Sequence, residues 1–84
     1  MDPTKIQPIT LGEFRIRTSF NPSSEDIVQK IKDKTASLIN IVAEVKYEDE
    51  KDTQKAGERA RLVALALTAY EEAAMWGVKA ATLK

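Results

Sequence analysis

The sequence contains neither cysteine nor histidine, and its 13 basic side chains are balanced by 13 acidic ones. Without cysteine and histidine, the chain can form no disulfide, no thiolate–imidazole zinc site, no cysteine nucleophile and no histidine general base. The zero net charge argues against binding of DNA or RNA polymers, which usually requires a basic excess. Acid–base catalysis by carboxylates alone and a carboxylate-held magnesium ion remain open, but each needs a specific constellation, and the sequence has no paired acidic motif beyond the adjacent Glu71 and Glu72. We expect a protein that is not an enzyme and holds no metal or cofactor.

The chain is also short, and a fold of 84 residues buries little surface for its size. Since disulfides and zinc are excluded, oligomerisation is the remaining way to gain stability. The first 20 residues lack an unbroken apolar core, and charged side chains interrupt the most apolar stretch, residues 62–81. We expect one soluble domain over residues 1–84, without a signal peptide or a membrane span.

Residues 1–21 are predicted to form a short extended or irregular arm. Two prolines and a glycine interrupt any helix there, and polar and apolar residues alternate towards its end. This alternation predicts that Phe14 and Ile16 share one side, which packs on the helices. Arg15 and Arg17 share the other side and remain free.

Residues 22–47 are predicted to form the first long helix. Asn21 or Ser23 is the expected N-cap, and Ser23 with Asp26 fits the spacing of a capping box. Apolar residues then recur with the helical period, and we expect this stripe to be buried. Its members are Ile27, Ile31, Leu38, Val42 and Val45.

Residues 48–54 are predicted to form an acidic turn, followed by a second long helix over residues 55–83. A run of charges of this kind is typical of a solvated turn. Metal binding by its carboxylates is an alternative, but the run lacks the glycine and the ligand spacing of a calcium loop. Those carboxylates belong to Glu48, Asp49, Glu50 and Asp52.

The second helix is apolar nearly all round, so a single partner helix cannot cover it and other subunits must supply the rest. At 100° per residue, four polar side chains fall on one narrow line: Arg61, Thr68, Glu72 and Lys79. Periodicity leaves two interpretations open. These residues pair across a symmetry axis and fix the register, or Arg61 and Thr68 from several subunits bind an anion.

Two stretches resemble one protein family: residues 17–23, which open the first helix, and the sequence Met-Trp-Gly-Val-Lys-Ala near the end of the second. The order and spacing of the two helices, over about residues 15–83, is similar to the small helical-hairpin proteins that bacteriophages use against CBASS and Thoeris immunity. The resemblance implies an all-α antiparallel helical hairpin that assembles as a homohexamer. It also implies a sponge in the host cytoplasm that sequesters cyclic nucleotide messengers without cleaving them.

The resemblance also implies the positions of the ligand sites. For cyclic dinucleotides it assigns Lys32 a direct contact and places an aromatic residue near the first helix. Arg17 occupies the matching position and Phe20 is the nearest aromatic, so either could stack on a base. For cyclic trinucleotides it assigns Arg61 and Thr68, where three subunits meet. The full implied ligand-binding set is Arg15, Arg17, Phe20, Asn21, Lys32, Arg61 and Thr68.

A helical adaptor or assembly protein without a small-molecule ligand is the competing interpretation. It explains the apolar second helix equally well, because both interpretations require an oligomer. It gives no reason for the basic residues that precede the first long helix.

Overall fold

The computed structural model describes residues 8–46 and 50–84, and the regular structure there is entirely helical. Helix α1 spans Leu11–Ile16, α2 spans Asp26–Ala43 and α3 spans Thr53–Thr82. Helix α2 packs against both of the others, whereas α1 and α3 touch each other only slightly. The prediction of an all-α helical hairpin is confirmed.

Two proximities show that α2 and α3 run antiparallel. A Cβ atom on Gly77 would lie 3.4 Å from the Ile31 side chain, and Lys84 lies 3.9 Å from Glu25. Helix α3 is about 45 Å long and α2 about 27 Å, at 1.5 Å per residue. The first turns of α3 therefore project beyond the end of α2, and little of their surface is covered.

The molecule is a flat plate measuring 49 × 37 × 13 Å, about as thick as one layer of helices. Its radius of gyration is 15.8 Å, against about 12 Å for a compact domain of this length. A single layer of helices leaves both broad faces uncovered. Large apolar side chains are accordingly exposed on every helix.

The N-terminal arm differs from its prediction, because residues 11–16 form a helix. A capping box begins it: the Thr10 hydroxyl accepts from the Glu13 amide at 3.1 Å, and the Glu13 carboxylate accepts from the Thr10 amide at 3.0 Å. Helical geometry places Phe14 and Ile16 about 200° apart rather than side by side. Ile16 is buried and Phe14 is 68% exposed, so the predicted packing of Phe14 is wrong.

Helix α1 approaches α2 closely at Gly12. A Cβ atom there would overlap the carbonyl oxygen of Ala36 and lie 2.8 Å from its Cα. The Gly12 amide donates a hydrogen bond to Asn40 Oδ1 at 2.7 Å, and Asn40 Nδ2 donates to the Thr10 hydroxyl at 3.0 Å. This junction requires glycine at position 12 and fixes α1 on α2.

Helix α2 begins four residues later than predicted, and its N-cap is Glu25, which makes no side-chain capping bond. Asn21 and Ser23 are therefore not N-caps, and no capping box forms with Asp26. Instead, the Ser23 hydroxyl accepts from the Glu25 amide at 3.3 Å and donates to Asn21 Oδ1 at 2.7 Å. These bonds order the chain that leads into the helix.

The buried face of α2 is also displaced from the predicted stripe. Ile27, Leu38 and Val45 are 42 to 50% exposed, and only Ile31 and Val42 of the predicted set pack against the core. The buried positions lie one residue further along the chain because α1 and α3 both pack there. They are Val28, Lys32, Ala36 and Ile39.

Asp52 begins α3 by accepting hydrogen bonds from the amides of Gln54 and Lys55 at 3.0 and 3.1 Å. The predicted acidic turn lies partly outside the described residues, as do Glu48 and Asp49 of the metal-binding alternative. Within the described ranges, no helix is long and apolar enough to cross a membrane.

Candidate functional site

Lys32 is the only buried charged residue in the described part of the chain, with 9% of its surface exposed. Its ammonium donates hydrogen bonds to the carbonyl oxygens of Phe20 and of Arg17, the latter at 3.3 Å. It also lies 5.3 Å from the centroid of the Phe20 ring. The two carbonyls and the ring face replace the water that burial removes. Lys32 thereby holds the loop of residues 17–20 on α2.

Backbone geometry and side-chain hydrogen bonds shape the same loop. Arg17 has a left-handed conformation with φ of 59°, which ends α1 and turns the chain. At the other end, Asn21 Nδ2 donates to the Glu25 carbonyl at 3.2 Å and to Gln29 Oε1 at 3.3 Å. The Asn21 amide group is therefore engaged inside the protein, in a structural position beside the predicted ligand residues.

A depression of about 430 Å³ lies over this loop, and we call it the loop groove. Phe14, Arg17 and Phe20 contribute to its lining. The two phenylalanines are 68% and 61% exposed. Exposed aromatic rings and a guanidinium plane are surfaces on which nucleobases stack. The loop groove therefore has the chemistry that base recognition requires.

A second depression, the α1/α3 groove, lies where α1 meets the C-terminal half of α3 and has a volume of about 510 Å³. Arg15 and Lys79 line it, together with Lys32, which is thus close to both grooves. Glu71 is its one acidic residue, and Met75 and Val78 belong to its apolar lining. Its volume is typical of small-molecule sites.

Arg61 and Thr68 occupy a different part of the molecule. Both are exposed, and their positions along α3 place Arg61 about 27 Å from Lys79. Arg61 Nη2 donates to Glu58 Oε1 at 2.5 Å. This hydrogen bond lowers the pKa of the Glu58 carboxyl below its ordinary value and raises that of Arg61.

The seven predicted residues thus fall into two groups within one chain. The structure brings together those from α1, the loop and α2, namely Arg15, Arg17, Phe20, Asn21 and Lys32. It does not bring Arg61 and Thr68 to them. Over residues 8–46 and 50–84, no group of three or more acidic side chains could hold a metal ion.

Several residues that line the two grooves lie outside the predicted ligand set, among them Phe14, Glu71, Met75 and Lys79. Phe14 was assigned to the core, and Lys79 to the polar line. Glu71 and Met75 were given no ligand role. The antiparallel hairpin itself was the available signal for the last three, because it returns the end of α3 to the beginning of α2. The helical conformation of residues 11–16, which exposes Phe14, also had a local signal, because Thr10 and Glu13 have the spacing of a capping box.

A model of the family described as the Acb2/Tad1 hairpin domain matches residues 11–82, from the first residue of α1 to the last of α3. The chain belongs to the Acb2/Tad1 hairpin family. This confirms the predicted relation to the anti-CBASS and anti-Thoeris sponges, which are binding proteins rather than enzymes. Comparisons with curated protein sequences and with solved structures gave no match.

Proposed function

We propose that this protein binds cyclic oligonucleotide messengers and sequesters them intact in the host cytoplasm. Membership of the Acb2/Tad1 hairpin family, over a match that includes every proposed ligand residue, carries this proposal. The loop groove adds chemical support, because it combines exposed aromatic rings with Arg17, and the ammonium of Lys32 lies 5.3 Å from the centroid of the Phe20 ring. Binding of this kind needs cations and stacking surfaces and no general base.

Lys32 has two roles in this proposal. Its ammonium already serves two backbone carbonyls, so its first role is to hold the loop of residues 17–20 in position. Its second role is electrostatic, because it lines the α1/α3 groove and lies beside the Phe20 ring, where its charge attracts a phosphate. Arg17 and Phe20, which extend from that loop, provide the flat surfaces against which a base stacks.

Arg61 and Thr68 form the second proposed site, for cyclic trinucleotides. One chain presents them on an open surface of α3, so the site requires the same residues from other subunits. We propose the homohexamer as the assembly that brings them together. A phosphate bound there replaces Glu58 as the partner of Arg61, since guanidinium pairs with both groups through two parallel hydrogen bonds.

Isothermal titration calorimetry against cyclic dinucleotides, cyclic trinucleotides and cyclic ADP-ribose isomers tests the proposal. Phe20→Ala should weaken cyclic dinucleotide binding about tenfold, since stacking on an aromatic ring contributes roughly 1–3 kcal/mol per base. Arg61→Ala should weaken cyclic trinucleotide binding selectively. Lys34→Ala, which removes an exposed lysine of α2 outside both grooves, is the matched control.

Chromatography of the ligand released by heating distinguishes a sponge from an enzyme, because a sponge returns the intact cyclic molecule. Absence of binding to every cyclic nucleotide would favour the helical adaptor instead. The exposed Leu62, Leu65 and Trp76 of α3 support that alternative, because an assembly protein also needs an uncovered apolar face. Lys32→Ala is not a clean test, since it also releases the loop.

A further inference from the structure

The α1/α3 groove collects cationic side chains from all three helices. Arg15 comes from α1, Lys32 from α2 and Lys79 from α3. None of the three lies within 4.0 Å of a carboxylate oxygen of residues 8–46 or 50–84, although Arg59, Arg61 and Lys84 all have such partners. Cations gathered in this way repel one another, and Glu71 offsets only part of their charge. The groove therefore attracts an anion.

The lining also determines what kind of anion fits. Ile16 and Ala74 are buried and provide an apolar floor, and Met75 at the rim is 70% exposed. A flexible thioether adapts to flat rings and contacts them favourably. The guanidinium of Arg15 pairs with phosphate through two parallel hydrogen bonds. An anion that carries both a phosphate and a flat ring matches this lining.

Glu71 further restricts which anions fit the α1/α3 groove. A carboxylate repels a bare phosphate but accepts hydrogen bonds from ribose hydroxyl groups and from the N–H groups of a base. An inorganic polyphosphate offers no such donor once ionised. A nucleotide offers phosphate to the cations and donors to Glu71 at the same time.

We propose that the α1/α3 groove is a nucleotide-binding site in which Arg15 and Lys79 bind a phosphate. Glu71 favours nucleotides over simple phosphates in this site, and Met75 contacts the base. The ligand class rests on the proposed function, whereas the location does not. Lys79, Glu71 and Met75 thereby acquire ligand roles beyond the loop groove and the Arg61 site.

Methionine methyl NMR of the full chain provides a direct test, because the sequence contains only Met1 and Met75. Protein with ¹³C-labelled methionine methyl groups is titrated with cyclic di-AMP, cyclic GMP–AMP and inorganic pyrophosphate. We expect the Met75 signal to shift saturably with the cyclic dinucleotides. The single tryptophan gives a second readout, since Lys79 Nζ lies 5.5 Å from the centroid of the Trp76 ring.

Charge variants test the individual roles by calorimetry. Arg15→Ala and Lys79→Ala should each weaken cyclic dinucleotide binding about tenfold and remove the shift of the Met75 signal. Lys34→Ala should change neither. Glu71→Gln keeps the side-chain size and removes its charge, so it should weaken nucleotide binding and strengthen pyrophosphate binding.

The outcomes separate this inference from the proposed function. If cyclic dinucleotides bind while the Met75 signal stays unchanged and Lys79→Ala binds as tightly as the wild type, the groove assignment is wrong and the proposed function stands. If no cyclic nucleotide binds at all, both are wrong. If Glu71→Gln leaves the ratio of nucleotide to pyrophosphate affinity unchanged, Glu71 has no part in specificity.

Discussion

The α1–α2 junction and the outer face of α3 are opposite extremes of packing within one small chain. At the junction, the backbone of Gly12 lies directly on Ala36, and Ile39 beside it has no exposed surface. The outer face of α3 exposes more than half of the surface of each large apolar side chain it carries. These are Leu62, Leu65 and Trp76.

The difference shows which part of the protein is complete as a single chain. At the junction, Asn40 satisfies the buried amide of Gly12, and the described residues leave no buried side-chain nitrogen or oxygen without a hydrogen bond. The outer face offers apolar area that nothing in the chain covers. We expect the junction to determine whether the chain folds, and the outer face to determine how copies associate.

Substitution of Gly12 should have the largest effect. Gly12→Ala places a Cβ atom against the Ala36 backbone, which cannot move aside as a side chain could. We expect a loss of about 3 kcal/mol in the free energy of unfolding, at the upper end for overpacking, measured by urea denaturation. Gly57→Ala is the control: nothing lies within 4 Å of its Cβ atom, and it should stabilise α3 by about 0.5–1 kcal/mol. If Gly12→Ala and Gly57→Ala changed the free energy of unfolding equally, the close packing at the junction would be contradicted.

Substitution of Asn40 should have the next largest effect. Asn40→Ala leaves the buried Gly12 amide without its 2.7 Å hydrogen bond and removes the bond to Thr10. A buried donor left unsatisfied costs about 1–3 kcal/mol, which thermal unfolding would detect. Ser37→Ala, whose exposed hydroxyl bonds only to its own helix, should have little effect. If both variants unfold at the wild-type temperature, Asn40 does not hold α1 in place.

Substitution on the outer face should separate association from folding. Leu65→Glu introduces a charge at a position where 52% of the surface of the residue is exposed. We expect the stability of the isolated chain to change by no more than about 0.5 kcal/mol, while sedimentation shows a smaller assembly than the wild type. Ser37→Glu, on the exposed side of α2, should leave the assembly unchanged. A loss of helical circular dichroism in Leu65→Glu would show that the face contributes to folding instead.

The smallest effect should concern the ion pair of Glu58 and Arg61 on α3. The hydrogen bond from Arg61 lowers the pKa of Glu58 below the ordinary value of 4.5. The stabilisation that the pair gives is therefore present above about pH 4.5 and is lost as the pH falls through the lowered pKa. In Arg61→Ala, an NMR titration should find the pKa of Glu58 near its ordinary value. The pKa of Glu13 is lowered by hydrogen bonds from Thr10 and should not change. If the pKa of Glu58 is the same in Arg61→Ala as in the wild type, the pair does not persist in solution.

Sequence reasoning succeeded where local periodicity is strong and failed where tertiary contacts override it. It predicted the long second helix within two residues, because a sequence rich in alanine and leucine favours helix. It placed Asp52, the N-cap of this helix, in the acidic turn. It missed α1, since the alternating residues 13–17 fit a strand while the capping box at Thr10 and the contact of Gly12 with α2 stabilise a helix. The same contact displaced the buried face of α2.

For the candidate site, the sequence supplied the residue types and the structure supplied their arrangement. Arg15, Arg17, Phe20 and Lys32 were found through the family resemblance, and the structure places them around two neighbouring grooves. Burial of Lys32 under Phe20 could not be predicted, because a lysine on a helix surface is usually solvated. It depends on a left-handed turn at Arg17 that returns the chain over α2.

The sequence by itself determined the absence of cysteine and histidine chemistry, the two long helices and the family. The first two follow from composition and from the 3.6-residue period, which act along the chain, and the family follows from the resemblance of two stretches and from the family model that matches residues 11–82. Only the tertiary structure decided that Lys32 supports a loop, that Lys79 joins Arg15 in one groove, and that Arg61 lies apart from both. These properties depend on the crossing of α1 and on the antiparallel register, which bring residues distant in sequence within a few ångströms of one another.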